Sequence, residues 1–424
     1  MFIAGLLAGT GILSLPKAVD NIGWTGLILI VFYAILSTYT SIQLGEAWNM
    51  AADLYDDCRG HVQNPYELLA QKTYGNSIRY LVSVCLYISM FGSTIVMILV
   101  IADNLEILVR DLGYDVSKCF WLLIIVGCLT PVSWLGTPKD FWWMAYGAVA
   151  ATVLCVVAIV ISCSLDAPNH PIVRHPGPDL KKISLGIGII AYIDGVQPYC
   201  LTFLMDMRKP KQFKVAAVIG SIIVLILLLS SAIPGYLVYG EDLEDNILNN
   251  LPYGVFYYIV FIFITLHLLL ATTTSINPIL QAVELVFHVP KVFTWKRCVS
   301  RSCVFFGMLF VAETIPKFSS LQSLLGGSTY TLLGTIFPVL FYTKMCKITA
   351  AAGAQVDNYS SHFTMETSSL STHKTVIPLW RRVLHYEIIG IGVLFGVATS
   401  VSAIIIIVSP NSFSMPCYIN LGDT

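Results

Sequence analysis

A chain of 424 residues that is 56% apolar and only 12% charged falls well below the share of about 25% charged residues usual in soluble domains. Its net charge of −1 and lack of a basic stripe give no footprint for nucleic acid. The eleven cysteines include no Cys-x-x-Cys pair, so no zinc site, cofactor or disulfide framework is expected.

The charges are segregated. Uncharged runs such as 80–102, 215–240 and 247–283 each exceed the about 20 residues that a bilayer-crossing helix needs. The sequence therefore predicts an all-α polytopic membrane protein. Eleven spans follow in chain order: 1–17, 22–45, 78–102, 119–136, 141–165, 183–206, 214–240, 253–282, 298–317, 320–343 and 384–409.

Span one carries Gly9-Thr10-Gly11 and Pro16. Gly costs about 1 kcal/mol against Ala in a helix interior and Pro about 3, so a break is predicted there. Broken backbone inside a membrane is tolerated only where it is buried in protein or lines a water-filled cavity. The glycines are thus either packing notches or the wall of a binding site. After span two, the loop 46–77 holds Tyr66-Glu67-Leu68-Leu69, which fits a tyrosine-based sorting tetrapeptide.

Span six repeats the punctuation at Ile193-Asp194-Gly195-Val196-Gln197-Pro198. Paired interrupted helices at matching places in two halves point to the binding site of a transporter. A five-plus-five inverted repeat follows, with 1–165 as the first half, 183–343 as the second, and broken helices 1 and 6. Residues 344–383 read as a cytosolic linker, and 384–409 as an extra eleventh helix.

Orientation comes from the basic residues. Only Lys17, Arg110, Lys118, Arg174, Lys181, Lys182 and Lys317 fall in the segments placed outside. The other Lys and Arg place the N-terminus in the cytosol. Cys119, Cys163 and Cys417 can then face an oxidising side.

Several residues can carry chemistry. Backbone at Gly9, Thr10 and Gly11 can receive a carboxylate, and Tyr192, Ile193, Gly195 and Tyr199 can shape the rest of a substrate pocket. Asp194, an ionisable group in mid-span, can receive an ammonium, carry a coupling proton, or cap broken backbone. His267 in span eight is either a proton carrier or a histidine hydrogen-bonded to a neighbour. Thr272, Thr273, Thr274 and Ser275 on the same span offer oxygens to a sodium ion, unless they bond their own preceding carbonyls. Glu106 and Glu313 read as interfacial. No catalytic motif such as His-Glu-x-x-His, Gly-x-Ser-x-Gly or a Walker loop occurs, so no enzyme is expected.

These residues resemble a family. Gly9 to Pro16 with Lys17-Ala18-Val19 and Gly23-Trp24 is similar to the helix 1 signature of the amino acid/auxin permeases, within the amino acid-polyamine-organocation superfamily. The run from Gly195 through Met205-Asp206-Met207-Arg208-Lys209-Pro210 resembles its helix 6 signature. Pro234 to Gly240 with Asp245-Asn246-Ile247-Leu248, and Ile315-Pro316-Lys317-Phe318 with Gly326-Gly327-Ser328, resemble later ones.

The resemblance implies the eleven-span fold also seen in sodium-coupled leucine transporters, with substrate between helices 1 and 6. It implies a secondary transporter of small neutral amino acids in a lysosomal, vesicular or plasma membrane. The alternative is a sensor that binds an amino acid and signals without flux. Sodium-coupled members carry an Asn where Gly5 stands, so proton coupling or exchange is expected. Val196 replaces a His frequent in the helix 6 signature. Met1 already lies inside span one, where the family has a preceding tail, which points to a truncated chain.

Overall fold

Helices occupy all eleven stretches in the computed structural model, which describes residues 2–60, 62, 64–111, 113–114, 116–134, 142–175, 177, 180–207, 209–290, 293–315, 317–360 and 377–409. The elements are α1 (Phe2–Ile22), α2 (Thr25–Leu54), α3 (Pro65–Tyr74), α4 (Asn76–Asp111), α5 (Lys118–Trp134), α6 (Trp142–Asp166) and α7 (Leu180–Ile193). Then come α8 (Gln197–Asp206), α9 (Phe213–Tyr239), α10 (Val255–Val286), α11 (Trp295–Thr314), α12 (Phe318–Leu325), α13 (Phe337–Ser360) and α14 (Leu379–Val408). Among the described residues eight helical stretches are long and apolar enough to cross a membrane, and α5 is a shorter apolar helix.

The expected break in span one is absent. Helix α1 runs unbroken across Gly9, Gly11 and Pro16. Its glycines are filled from outside: a Cβ on Gly11 would lie 2.8 Å from Ile193 Cγ2, and one on Gly9 would overlap the His267 ring. The Pro16 ring sits on α9, where a Cβ at Gly235 would come within 3.0 Å of it. Ile12, Leu13 and Leu15 are fully enclosed in the apolar core. Unwinding here would strip backbone hydrogen bonds next to apolar neighbours that cannot replace them. That cost outweighs the roughly 1 kcal/mol per glycine and 3 for proline.

Around α1 pack α9 and α7, and also α6, α2 and α10. One apolar core joins α1, α4, α7, α9 and α10. A second joins α2, α3, α8 and α13. Between α12 and α13 the chain makes two five-residue π-helical turns, Gly326–Tyr330 and Leu332–Ile336. The first lies against α7 and α14 through glycines: Gly326 faces the Gly188 carbonyl, and Gly327 faces Thr399. Small residues permit such backbone approach between membrane helices.

Three readings change with these positions. Tyr66 is buried on α3 and donates 2.6 Å to the Leu333 carbonyl in the second π turn. It therefore anchors α3 to the bundle and is not displayed as an exposed sorting tetrapeptide. Glu313, read as interfacial, lies at the end of α11 and is buried inside the bundle, 3% exposed. Helix α13 continues to Ser360, well into the stretch read as a linker, whose residues 361–376 lie outside the described residues.

At the end of α10, Glu284 is buried with Arg301 Nε at 2.5 Å and Arg297 Nε at 3.0 Å. Arg301 also donates to the Ser133 carbonyl of α5. Beyond α2, Lys72 Nζ lies 2.8 Å from Asp57, which holds that exposed carboxyl below its usual range. Cys119 is disulfide-bonded, whereas Cys163 is a buried free thiol. Cys417 lies outside the described residues.

Candidate functional site

Span six is broken, as its punctuation predicts. Helix α7 stops at Ile193 and α8 starts at Gln197. Pro198 has no N–H, and in a continuous helix its ring would press on the carbonyl four residues earlier, that of Asp194. The carbonyl finds other donors: Ser37 Oγ of α2 at 2.8 Å and the Val196 amide at 2.9 Å. Gly195 N–H turns back to the Tyr192 carbonyl at 3.2 Å. Only glycine fits at 195, because the Tyr330 ring occupies the space a Cβ would need.

Beside this break lies a cavity of about 30 Å³. Thr10 of α1, Ser93 and Met97 of α4, and Ser275 of α10 form one side. Tyr192, Ile193, Gly195, Tyr199 and Tyr330 form the other. Ser93 Oγ donates 2.7 Å to the Ser89 carbonyl and therefore accepts from Tyr330 Oη, also at 2.7 Å. The Tyr192 and Tyr330 rings meet edge to face with centroids 5.3 Å apart. Among the described residues no charged side chain lines the cavity. Its polar groups are hydroxyls and the backbone ends of two half-helices.

Of the residues singled out in the sequence, Thr10, Tyr192, Ile193, Gly195, Tyr199 and Ser275 converge here. Gly9 and Gly11 do not; they are the notches described above. Asp194 lines a different cavity on the far side of Gly195 and Tyr330. His267 is fully buried between helices, with Nδ1 3.1 Å from the Ala148 carbonyl and 3.0 Å from Thr152 Oγ1. The carbonyl can only accept, so Nδ1 carries the proton, and His267 lines neither cavity.

Thr272 Oγ1 donates to the Leu268 carbonyl at 2.7 Å and Thr273 Oγ1 to the Leu270 carbonyl at 2.8 Å. The Thr274 side chain lies outside the described residues. Sequence reading missed Ser93, Met97 and Tyr330. Ser93 and Met97 sit in an ordinary apolar span, and only the run Gly326-Gly327-Ser328 just ahead of Tyr330 gave any signal.

Comparison with known proteins agrees with this architecture. The family model described as "Transmembrane amino acid transporter protein" matches residues 1–365. Amino acid transporter AVT1D of Arabidopsis thaliana is 22% identical over 353 residues, covering 81% of this chain and 62% of its own length. Amino acid transporter AVT1B of the same plant is 26% identical over 359 residues, covering 78% of this chain and 61% of its own length. The chain thus spans about three fifths of these relatives. A crystal structure of MhsT in complex with L-phenylalanine superposes with a TM-score of 0.56 at 12% identity, covering 95% of this chain and 97% of that one. That likeness establishes a shared fold.

Proposed function

Because the chain belongs to the transmembrane amino acid transporter family, as a multi-pass membrane protein and not an enzyme, we propose that it carries small neutral amino acids across a membrane by alternating access. The observation that carries this reading is the cavity at the broken span, walled by hydroxyls and half-helix ends and free of charged side chains. A zwitterion brings one charge of each sign. Its carboxylate suits the positive amide end of α8, and its ammonium suits the carbonyl end of α7. The tyrosine hydroxyls supply the remaining bonds. A neutral side chain needs no further charge.

Eleven crossings, the inverted repeat of 1–165 and 183–343, and a cytosolic N-terminus belong to the same proposal. The disulfide at Cys119 supports it, because α5 begins on the side assigned to the oxidising compartment. In this scheme α1 and the two halves of span six rock against α4, α5, α10 and α11. Coupling to protons, or exchange, fits better than sodium: Gly5 offers no side-chain oxygen, Thr272 and Thr273 spend their hydroxyls on preceding carbonyls, and Ser275 alone of the described candidates lines the cavity.

The test is uptake of radiolabelled neutral amino acids into proteoliposomes, with an imposed pH gradient and then a sodium gradient. Saturable uptake, stronger under the pH gradient, supports the reading. Binding without uptake would favour a sensor over a carrier.

A further inference from the structure

The second cavity, about 20 Å³, lies between α2, the break in span six and the π turns. It shares Gly195 and Tyr330 with the substrate cavity as common wall. Among the described residues its one anionic group is Asp194, and no lysine, arginine or histidine lines it. Among the described residues no ion pair or side-chain hydrogen bond reaches the Asp194 carboxylate. Asp194 is partly exposed into this space, and an ionisable group within a membrane bundle that faces a cavity marks an ion path.

A second polar group is turned the same way. Gln197 lines the cavity and is 1% exposed. Its amide nitrogen is spent on α2, donating to Ser37 O at 3.3 Å, Ser37 Oγ at 3.0 Å and Thr40 Oγ1 at 3.3 Å. Ser37 O can only accept, which fixes the orientation of the amide. Oε1 is left buried without a donor, facing the space that Gly334 leaves by having no side chain; a Cβ there would lie 3.0 Å from it. Buried acceptors of this kind ordinarily have a partner.

We infer that this cavity binds the monovalent cation coupled to transport, a proton or an alkali ion, between the Asp194 carboxylate and Gln197 Oε1. Hydroxyls of Tyr33, Thr331 and Thr335 complete the wall. Among the described residues Tyr33 of α2 and Tyr330 of the π turn are the only other titratable side chains lining the cavity with Asp194; α7 and α8 contribute none. Because the Tyr330 ring bounds both cavities, the cation site and the amino acid site communicate through one side chain packed on Gly195. The assignment rests on the transport reading above and separates Asp194 from the substrate's ammonium.

The experiment uses the full chain in proteoliposomes, a mixture of radiolabelled neutral amino acids, and either an inward pH gradient or an inward sodium gradient balanced by choline. Wild type accumulates label above equilibrium under one gradient, which identifies the cation. Asp194→Asn lowers that accumulation at least tenfold and Asp194→Glu restores part of it. Gly334→Ala, which crowds Gln197 Oε1, raises the half-saturating cation concentration severalfold and by more than it raises KM for amino acid.

Full accumulation by Asp194→Asn overturns the proposal. So does wild-type equilibration without accumulation under either gradient, which leaves the transport reading standing. Absence of all uptake by wild type would instead sink the transport reading. Where Asp194→Asn reconstitutes poorly, Gly334→Ala decides: an unchanged cation dependence overturns the proposal.

Discussion

Spans one and six carry similar punctuation, two or more helix breakers within eight residues, yet α1 is continuous and span six is split. The difference lies in the neighbours. In span six a hydroxyl of α2 replaces the donor that Pro198 lacks, at 2.8 Å from the Asp194 carbonyl. Around Ile12 to Leu15 the surroundings are apolar core, and the glycines are occupied by Ile193, Leu228 and His267. Breakers permit a break; a nearby polar group is what makes one affordable. The two glycine sets accordingly pack differently: Gly195 sits at the break beside two cavities, while Gly9 and Gly11 let helices touch.

The sharpest way to break this comparison is to add a methyl at each glycine. Gly195→Ala drives the Tyr330 ring out of the wall shared by both cavities, and uptake should fall on the order of a hundredfold, the loss typical of displacing a site by an ångström. Transport at the wild-type rate would contradict the assignment of span six. Gly11→Val, by contrast, overpacks α1 against Ile193 and should first cost stability, about 1–3 kcal/mol, measured by denaturation of the purified protein. Intact stability with uptake lost would return span one to the binding site.

His267→Gln should lower stability by about 1–3 kcal/mol for the buried bonds it disturbs, while the pH profile of uptake keeps its wild-type shape. A displaced profile would make His267 a proton carrier. Ser37→Ala removes the donor to the Asp194 carbonyl and should cost about 0.5–1.5 kcal/mol, the smallest of these effects. A cost near zero would mean that Pro198 alone holds the break open.

Much of the fold is legible in the sequence because bilayer helices announce themselves through long uncharged runs. The break at Asp194-Gly195 was legible too, since Pro198 and an aspartate in mid-span both argue against a regular helix. The continuity of α1 was not, because it depends on side chains of α7, α9 and α10 that arrive from more than 150 residues away. Tyr330 was hidden for the same reason: its place at the wall follows from π turns that no local pattern specified. Asp194 was singled out in the sequence, but which side of Gly195 it faces is a matter of three-dimensional packing.

The central claim is that the amino acid sits against the break in span six. A cryo-electron microscopy map of the reconstituted protein with a saturating neutral amino acid tests it most directly. The account predicts density bounded by Ser93, Tyr192, Tyr199 and Tyr330. Density beside Asp194 or between α1 and His267, with that cavity empty, would contradict it.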